Sequence, residues 1–582
     1  MKGFDILKIK SAVKNHNKFD LSRTHLTTLN FGEIMPLMVE ETVPGDKLSV
    51  NADYFSRLAP LAVPTYGKFQ FKTVSAFVPY HQIAWDAEAW LAGKSTWEGQ
   101  TPHHRYITAD SLATFVNSYC TTAGNATNAQ YVFINSSGTV NYKIFTNVGR
   151  YWVKVLNSLG YAIPQGVDLQ TSSDWNTSLK NVKFSAYPLL AFFKLYNDYM
   201  SQSQRFNTSG LSNMLQCIKY GKTVSGYSPA TGEIGYSAMK TMFDGLFLNY
   251  ENDYFTSAWQ SPQNPLNSVD TISIANVPGQ SDPNIQATTG TWNTDVLQKV
   301  STGYATISQR ALDFLKDFDD WVRRNNYSGS RAVQQIYSRF GIKTDDYKSH
   351  YANVLSTDAL PVQVGDVTST SDTTGAILGD YAGKGIMSGS KGISCNVSDY
   401  GLFIILGYFT VTPMNAFGSD RRVLRNSPLD YYNPEFDGLG ADPISVGELW
   451  SSPIVSGDTV KDTDVFGFTE RYNAYRYGRD VITGEFRDYR ATGDMNAWHT
   501  GRNLAALRTA GTLVAQSTAM NTLPQANSEY NRIFSNTTGD VDHFYLTCKF
   551  DVSAIRPMLN LNQVPRLGEG DTVVPRNGNT IS

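Results

Sequence analysis

The chain has 582 residues and a net charge of −3, so no overall positive field draws it to nucleic acid and any such contact has to be local. Only 17% of residues are charged while 13% are aromatic, a balance that fits a surface buried against neighbours and also fits an aromatic-rich monomer. Length alone suggests about four average domains, but large all-β chains often keep one barrel and place the surplus in loops.

From the N-terminus, Lys2, Lys8, Lys10, Lys14, Lys18 and Arg23 outnumber Asp5 and Asp20. This reads as a loose basic arm over 1–30 that neutralises phosphates, or as a solubilising tail. The arm lacks a continuous apolar core, so no signal peptide is expected. Ile34 to Val43 reads as a strand that runs into a tight turn at Pro44-Gly45-Asp46. Phe69 to Val78 has the β-branched and aromatic content of a central strand.

Helical spacing follows. Pro188 can occupy the first turn of a helix whose Leu189, Phe192, Phe193, Tyr196 and Met200 form one apolar stripe. Leu312, Leu315, Phe318 and Val322 repeat that spacing, as do Val333, Ile336, Tyr337 and Phe340 before Gly341. Polar stretches at Thr121 to Asn141, Thr223 to Gly235, Ser261 to Thr294 and Ser356 to Thr374 read as surface insertions. Leu402 to Val411 is a second central strand, and its apolar run is too short to span a bilayer. Near the C-terminus Phe544, Leu546, Cys548, Phe550 and Val552 alternate with Tyr545, Thr547, Lys549 and Asp551, the pattern of a strand with one buried and one polar face.

Catalytic and metal signatures are weak. Cys120, Cys217, Cys395 and Cys548 lie far apart, with neither zinc spacing nor a disulfide framework. GDYAGKG around Gly379, Gly383 and Lys384 has the wrong internal spacing for a phosphate loop and Gly385 where Ser or Thr would hold magnesium. His103 and His104 have no nearby metal-ligating partner and read as a solvated loop. The adjacent pairs Asp319-Asp320 and Asp345-Asp346 cannot face one bond from opposite sides. No G-x-S-x-G elbow is present, and no cofactor is expected.

Two clusters mix cations with stacking rings: Arg421, Arg422 and Arg425, and the run Arg471, Tyr472, Tyr475, Arg476, Tyr477 and Arg479. Intersubunit packing and single-strand nucleic-acid binding both use such residues. Arg471, Tyr472, Tyr475, Tyr477 and Trp498 are therefore candidate intersubunit contacts. Lys8, Lys10, Lys14, Lys18, Arg23, Arg476 and Arg479 are candidate DNA contacts. A β-rich receptor- or glycan-binding protein is the alternative reading, since it too would combine aromatic strands, polar loops and no catalytic motif.

Several runs carry a resemblance. THLTTLNFGEIMPLMVEETVPGD from Thr24, FVPYHQIAWDAEAW from Phe77, FSAYPLLAFFKLYNDYM from Phe184, DYFTSA from Asp253 and GSRAVQQIYSRFGI from Gly329 come first. FGFTERYNAYRYGRDVITGEFRD from Phe466, AWHTGRNL from Ala497 and DHFYLTCKFDVSAIRPM from Asp542 follow. In this order the runs resemble the major capsid proteins of the Microviridae, especially the gokushovirus-like branch. The resemblance implies a single viral jelly roll, mainly β, over 31–582, with helix-containing insertions at about 100–340 and C-terminal strands at about 400–555. It also implies a T=1 icosahedral shell of this chain around circular single-stranded DNA, assembled in the bacterial cytoplasm. The implied partners are further copies of the chain, a small internal DNA-binding protein, minor virion proteins and a host surface receptor, with no membrane insertion.

Overall fold

The computed structural model describes residues 16–258, 351–368 and 381–558, apart from short stretches within them, the longest being 164–181 and 450–463. Ten strands build two antiparallel sheets: β1 (Asn17–Asp20), β2 (Arg23–Leu29), β3 (Ile34–Thr42), β4 (Lys47–Leu58), β5 (Lys68–Pro79), β6 (Asn353–Pro361), β7 (Gln363–Thr368), β8 (Tyr381–Asn396), β9 (Gly401–Thr412) and β10 (Phe544–Arg556). In the first sheet the order is β2-β10-β4-β8-β7, and β1 pairs with β10 beyond β2. The second sheet is ordered β6-β5-β9-β3. Apart from the consecutive strands β7 and β8, neighbours in each sheet are far apart in sequence, which is the crossed connectivity of a jelly roll.

Alternation along β4 and β10 explains how the sheets pack. Leu48, Val50, Ala52, Tyr54 and Leu58 point inward beside Phe544, Leu546, Cys548, Phe550 and Val552, and all are buried. Between the sheets Phe409 stacks on Phe544 at 4.0 Å, and Phe71 meets Phe409 at 4.8 Å. Strand β9 is buried on both faces over most of its length because helix α3 (Tyr187–Tyr199) packs on it and on β5 from outside. The turn at Pro44-Gly45-Asp46 forms as its sequence predicts. Gly45 has φ 95°, and the Asp46 carboxylate accepts the Val43 amide at 3.1 Å.

The long connection between β5 and β6 carries α1 (Ala109–Ser118), α2 (Asn147–Ser158), α3, α4 (Ser209–Lys219) and α5 (Tyr236–Asp244). Thr108 caps α1 and Thr146 caps α2, each hydroxyl accepting an amide of the first turn. Trp152, Phe115 and Phe193 converge on Phe243 at 5.0, 4.8 and 5.1 Å, and this aromatic centre is continuous with the core between the sheets. Pro188 stands in the first turn of α3, where its missing N–H costs nothing.

Four expectations change. The segment 17–29 is not a loose arm: β1 and β2 add to the edge of the first sheet. Most of Ser356 to Thr374 that is described is strand, because β6 and β7 run as one nearly continuous ribbon. Its residues 353–361 pair with β5 in one sheet, and 363–368 pair with β8 in the other. Thr121 to Asn141 holds parts of a small three-stranded sheet, and Thr223 to Gly235 contains the strand pair Tyr227–Ser228 and Glu233–Ile234. Gly383 and Lys384 lie within β8, so the GDYAGKG run enters a sheet, in keeping with its wrong spacing for a phosphate loop. The stretch Ser261 to Thr294, the helices expected near Leu312 and Val333, and the Asp319-Asp320 and Asp345-Asp346 pairs fall outside the described residues.

Candidate functional site

The Tyr/Arg run sits in the connection between β9 and β10, where a second, smaller core gathers Tyr254, Phe255, Ile444, Val446, Leu449 and Phe466. At its centre Glu448, almost wholly buried, accepts hydrogen bonds from Arg421 at 2.8 Å and from the Tyr254 hydroxyl at 3.0 Å. Tyr477 stacks on Tyr254 at 4.9 Å, and burial pushes its hydroxyl up to about 12. Tyr472 is also spent inside the chain. It is 3% exposed, adopts a left-handed φ of 61°, and donates its amide to Asp442 at 2.9 Å.

A different set of rings reaches the surface. Tyr431, Tyr432 and Tyr475 are each about half exposed, and the Arg425 guanidinium lies 4.1 Å over the Tyr475 ring. Arg471 lies 5.0 Å over Phe436. Arg476 is half exposed but neutralised locally by Asp437 at 3.0 Å and Glu470 at 3.6 Å. Arg479 donates to the Gly418 carbonyl, and burial lowers its pKa. Trp498 lies 5.7 Å from Tyr66, which is 71% exposed. The run that looked like one motif thus divides into packed residues and a surface patch centred on Tyr431, Tyr432, Tyr475 and Arg425.

Among the N-terminal cations, Lys18 is exposed on β1. Arg23 bonds the Glu40 carboxylate at 2.9 Å and the Val39 carbonyl at 2.7 Å, which ties β2 to β3. Lys8, Lys10 and Lys14 lie outside the described residues.

One surface carried a sequence signal that went unread. On the solvent side of the first sheet Leu26, Phe55 and Tyr545 are 73%, 40% and 45% exposed, and they line an open groove of about 710 Å³ beside α2. Arg57 lies 5.5 Å over Phe55 and directly across from Tyr545. Rings at polar positions of strictly alternating strands were the available clue, because such positions place large side chains on the solvent face of the sheet.

The polar clusters elsewhere satisfy themselves. His104 is packed, not solvated: it stacks on Tyr187 at 4.6 Å and meets the edge of Trp90, and burial lowers its pKa to about 4. His81, Glu88 and Asp399 bring three possible metal ligands within 4.8 Å, but His81 and Asp399 already pair at 2.8 Å and Glu88 is 68% exposed. Cys120, Cys217, Cys395 and Cys548 are free thiols. Among the described residues no helix is long and apolar enough to cross a membrane.

Comparison with known proteins gives these surfaces a context. A family model described as capsid protein (F protein) matches residues 7–123 and 165–566. The chain is similar to capsid protein VP1 of Chlamydia phage 1, 24% identical over 596 aligned positions covering 95% of this chain and 96% of that protein. It is also similar to capsid protein VP1 of Bdellovibrio phage phiMH2K, 22% identical with the same two coverages.

Proposed function

The chain belongs to the capsid protein (F protein) family of the Microviridae, and from that premise we propose that its copies form a T=1 icosahedral shell around circular single-stranded DNA. Its role is that of a structural virion subunit and not of an enzyme. The observation that carries the proposal is the extent of the match, which spans both sheets, the β9 to β10 connection and the β5 to β6 connection apart from residues 124–164. A closed shell needs heterologous contacts around its five-fold and three-fold axes. A fixed two-sheet core with adaptable connections suits that demand: the core sets the subunit's shape, and the connections meet unlike neighbours.

Within this reading the patch of Tyr431, Tyr432, Tyr475 and Arg425 serves intersubunit contact. Its rings are exposed, while its neighbours Arg476 and Arg479 are engaged within the chain. Phosphate neutralisation falls instead to the N-terminal lysines Lys8, Lys10, Lys14 and Lys18, supplemented by a small internal DNA-binding protein, since the chain's net charge is −3. Assembly takes place in the bacterial cytoplasm, minor virion proteins complete the particle, and a surface insertion meets the host receptor.

Negative-stain electron microscopy with sedimentation, on recombinant protein and on particles from infected cells, tests the shell. Uniform small icosahedral particles containing the chain are expected. Its absence from virions, with only small discrete oligomers from the recombinant protein, would overturn the proposal.

A further inference from the structure

The far edge of the first sheet carries an inference that rests on the shell reading and goes beyond it. Strand β7 (Gln363–Thr368) is the last strand of that sheet, and it pairs only with β8 among the described residues. The direction of each backbone group follows from the ladder. Gly383 exchanges hydrogen bonds with Leu61 at 3.0 and 3.4 Å, and Val397 does so with Gly45 and Asp46 at 2.9 Å, so odd-numbered residues of β8 point towards β4. Even-numbered residues Ala382, Lys384 and Ile386 therefore point towards β7, where their partners are Val367, Gly365 and Gln363. The N–H and C=O groups of Val364, Asp366 and Thr368 point outward, with no partner strand among the described residues.

Natural sheets usually block such an edge with lysine, proline, a bulge or a covering element. The opposite side of this sheet is managed that way: Arg23 and His25 of β2 bond the Val39 and Leu37 carbonyls of β3 at 2.7 and 2.9 Å. Strand β3 itself carries Pro36 and a register shift. Among the described residues strand β7 has none of these. Its sequence is Gln-Val-Gly-Asp-Val-Thr, its ladder to β8 is regular, and Asp366, Val367 and Thr368 are exposed.

We propose that the outer edge of β7 pairs with β7 of a second copy of the chain, antiparallel, across a two-fold axis. A strand that pairs antiparallel with its own copy is two-fold symmetric by construction, and an icosahedral shell supplies such axes. Three registers pair at least two of the three outward residues. The middle one sets Asp366 against its own mate, and like charges directly opposite are destabilising. The other two place the axis through Gly365, with Val364 opposite Asp366, or through Val367, with Asp366 opposite Thr368.

Both registers bring the residue on the axis against its copy as a non-hydrogen-bonded pair, with Cα atoms about 4.5 Å apart. That separation lies within disulfide reach. The test is mild oxidation of assembled particles carrying Val367→Cys or Gly365→Cys, read as dimers on a non-reducing gel against the wild type with its four native cysteines. One of the two variants is expected to cross-link. In parallel Asp366→Pro removes one outward N–H and leaves the ladder to β8 intact, so the subunit should fold as the wild type does while particle yield falls about tenfold. Normal particles from Asp366→Pro and from both cysteine variants, with no cross-link, would overturn the edge pairing and leave the shell standing. A wild-type chain absent from every particle would sink both.

Discussion

Arg105 Nη2 and Asp86 Oδ1 stand 2.9 Å apart with side chains only 1% and 4% exposed, so the pair is sealed inside the protein. Arg105 also donates to the Ile218 carbonyl at 3.2 Å, and Asp86 accepts the His103 amide at 2.9 Å. The pair thereby fastens the residues that follow β5 to α4. Removing one partner leaves a buried charge without its counter-ion, which costs about 3–5 kcal/mol. Arg105→Met and Asp86→Leu should each lower the denaturation midpoint strongly, whereas the double variant should cost less than the sum of the two. Strict additivity in a denaturant titration would show that the two charges do not depend on each other.

A second cluster predicts pH dependence. Lys154 of α2 bonds Glu33 at 2.6 Å and Asp542 at 3.2 Å, which joins the turn before β3, the helix and the approach to β10. Burial raises the Glu33 pKa more than Lys154 lowers it. Burial also pushes Asp542 upward, but Lys154, the Thr28 hydroxyl and Arg150 together outweigh it and hold its carboxyl low. The signs are opposite. A raised carboxyl disfavours the fold while ionised, so its effect eases as pH falls through the folded value. A lowered carboxyl supports the fold above its unfolded pKa of about 3.9, and that support is lost on acidification through the folded value. In melting curves taken against pH, Glu33→Gln should flatten the profile above about pH 4.3, and Asp542→Asn should remove part of the loss below about pH 4. Unchanged profiles in both variants would refute the assignment.

What the sequence discloses depends on how local its cause is. Strand β10 is legible because its buried residues alternate within one strand, and the Pro44-Gly45-Asp46 turn because its geometry belongs to neighbouring residues. Strand β7 reads as part of a polar insertion, and β8 gives no strand signal because its glycines answer to distant partners. A side-chain carbon on Gly389 would meet Leu360 at 2.5 Å, and one on Gly385 would meet Leu58 at 2.6 Å. The candidate contacts were legible as a composition of Tyr and Arg. Their division into buried Tyr472 and exposed Tyr475 was not, since it depends on a left-handed turn and an Asp442 hydrogen bond from another segment.

The glycines of β8 make that point testable. A Cβ at Gly383 would stand 2.8 Å from the Val63 carbonyl oxygen, whereas one at Gly392 meets nothing within 4 Å. Backbone cannot swing away as a side-chain tip can. Gly383→Ala should therefore destabilise by about 1–3 kcal/mol through overpacking. Gly392→Ala, in the same strand, should stay within about 0.5 kcal/mol of the wild type. Equal effects in thermal denaturation would mean that strand propensity, and not close approach, sets the requirement for glycine.

The surface rings and the packed rings of the β9 to β10 connection should fail in different ways. Tyr475 is 49% exposed beneath Arg425, and its hydroxyl accepts the Tyr432 amide at 3.1 Å. Tyr475→Phe keeps the ring and loses that bond, while Arg425→Ala uncovers the ring, so neither removes buried core. Subunit melting should shift little, and a contact surface built on these groups should show its loss as a higher protein concentration needed for assembly. Tyr254→Ala instead empties a buried aromatic site and leaves Glu448 with one fewer donor, at a cost of about 3–5 kcal/mol to the subunit itself. Arg476→Gln removes a cation already matched by Asp437 and Glu470, so particles should form and carry a normal genome. Normal particles with reduced DNA from that variant would move the Tyr/Arg run from subunit contact to genome contact.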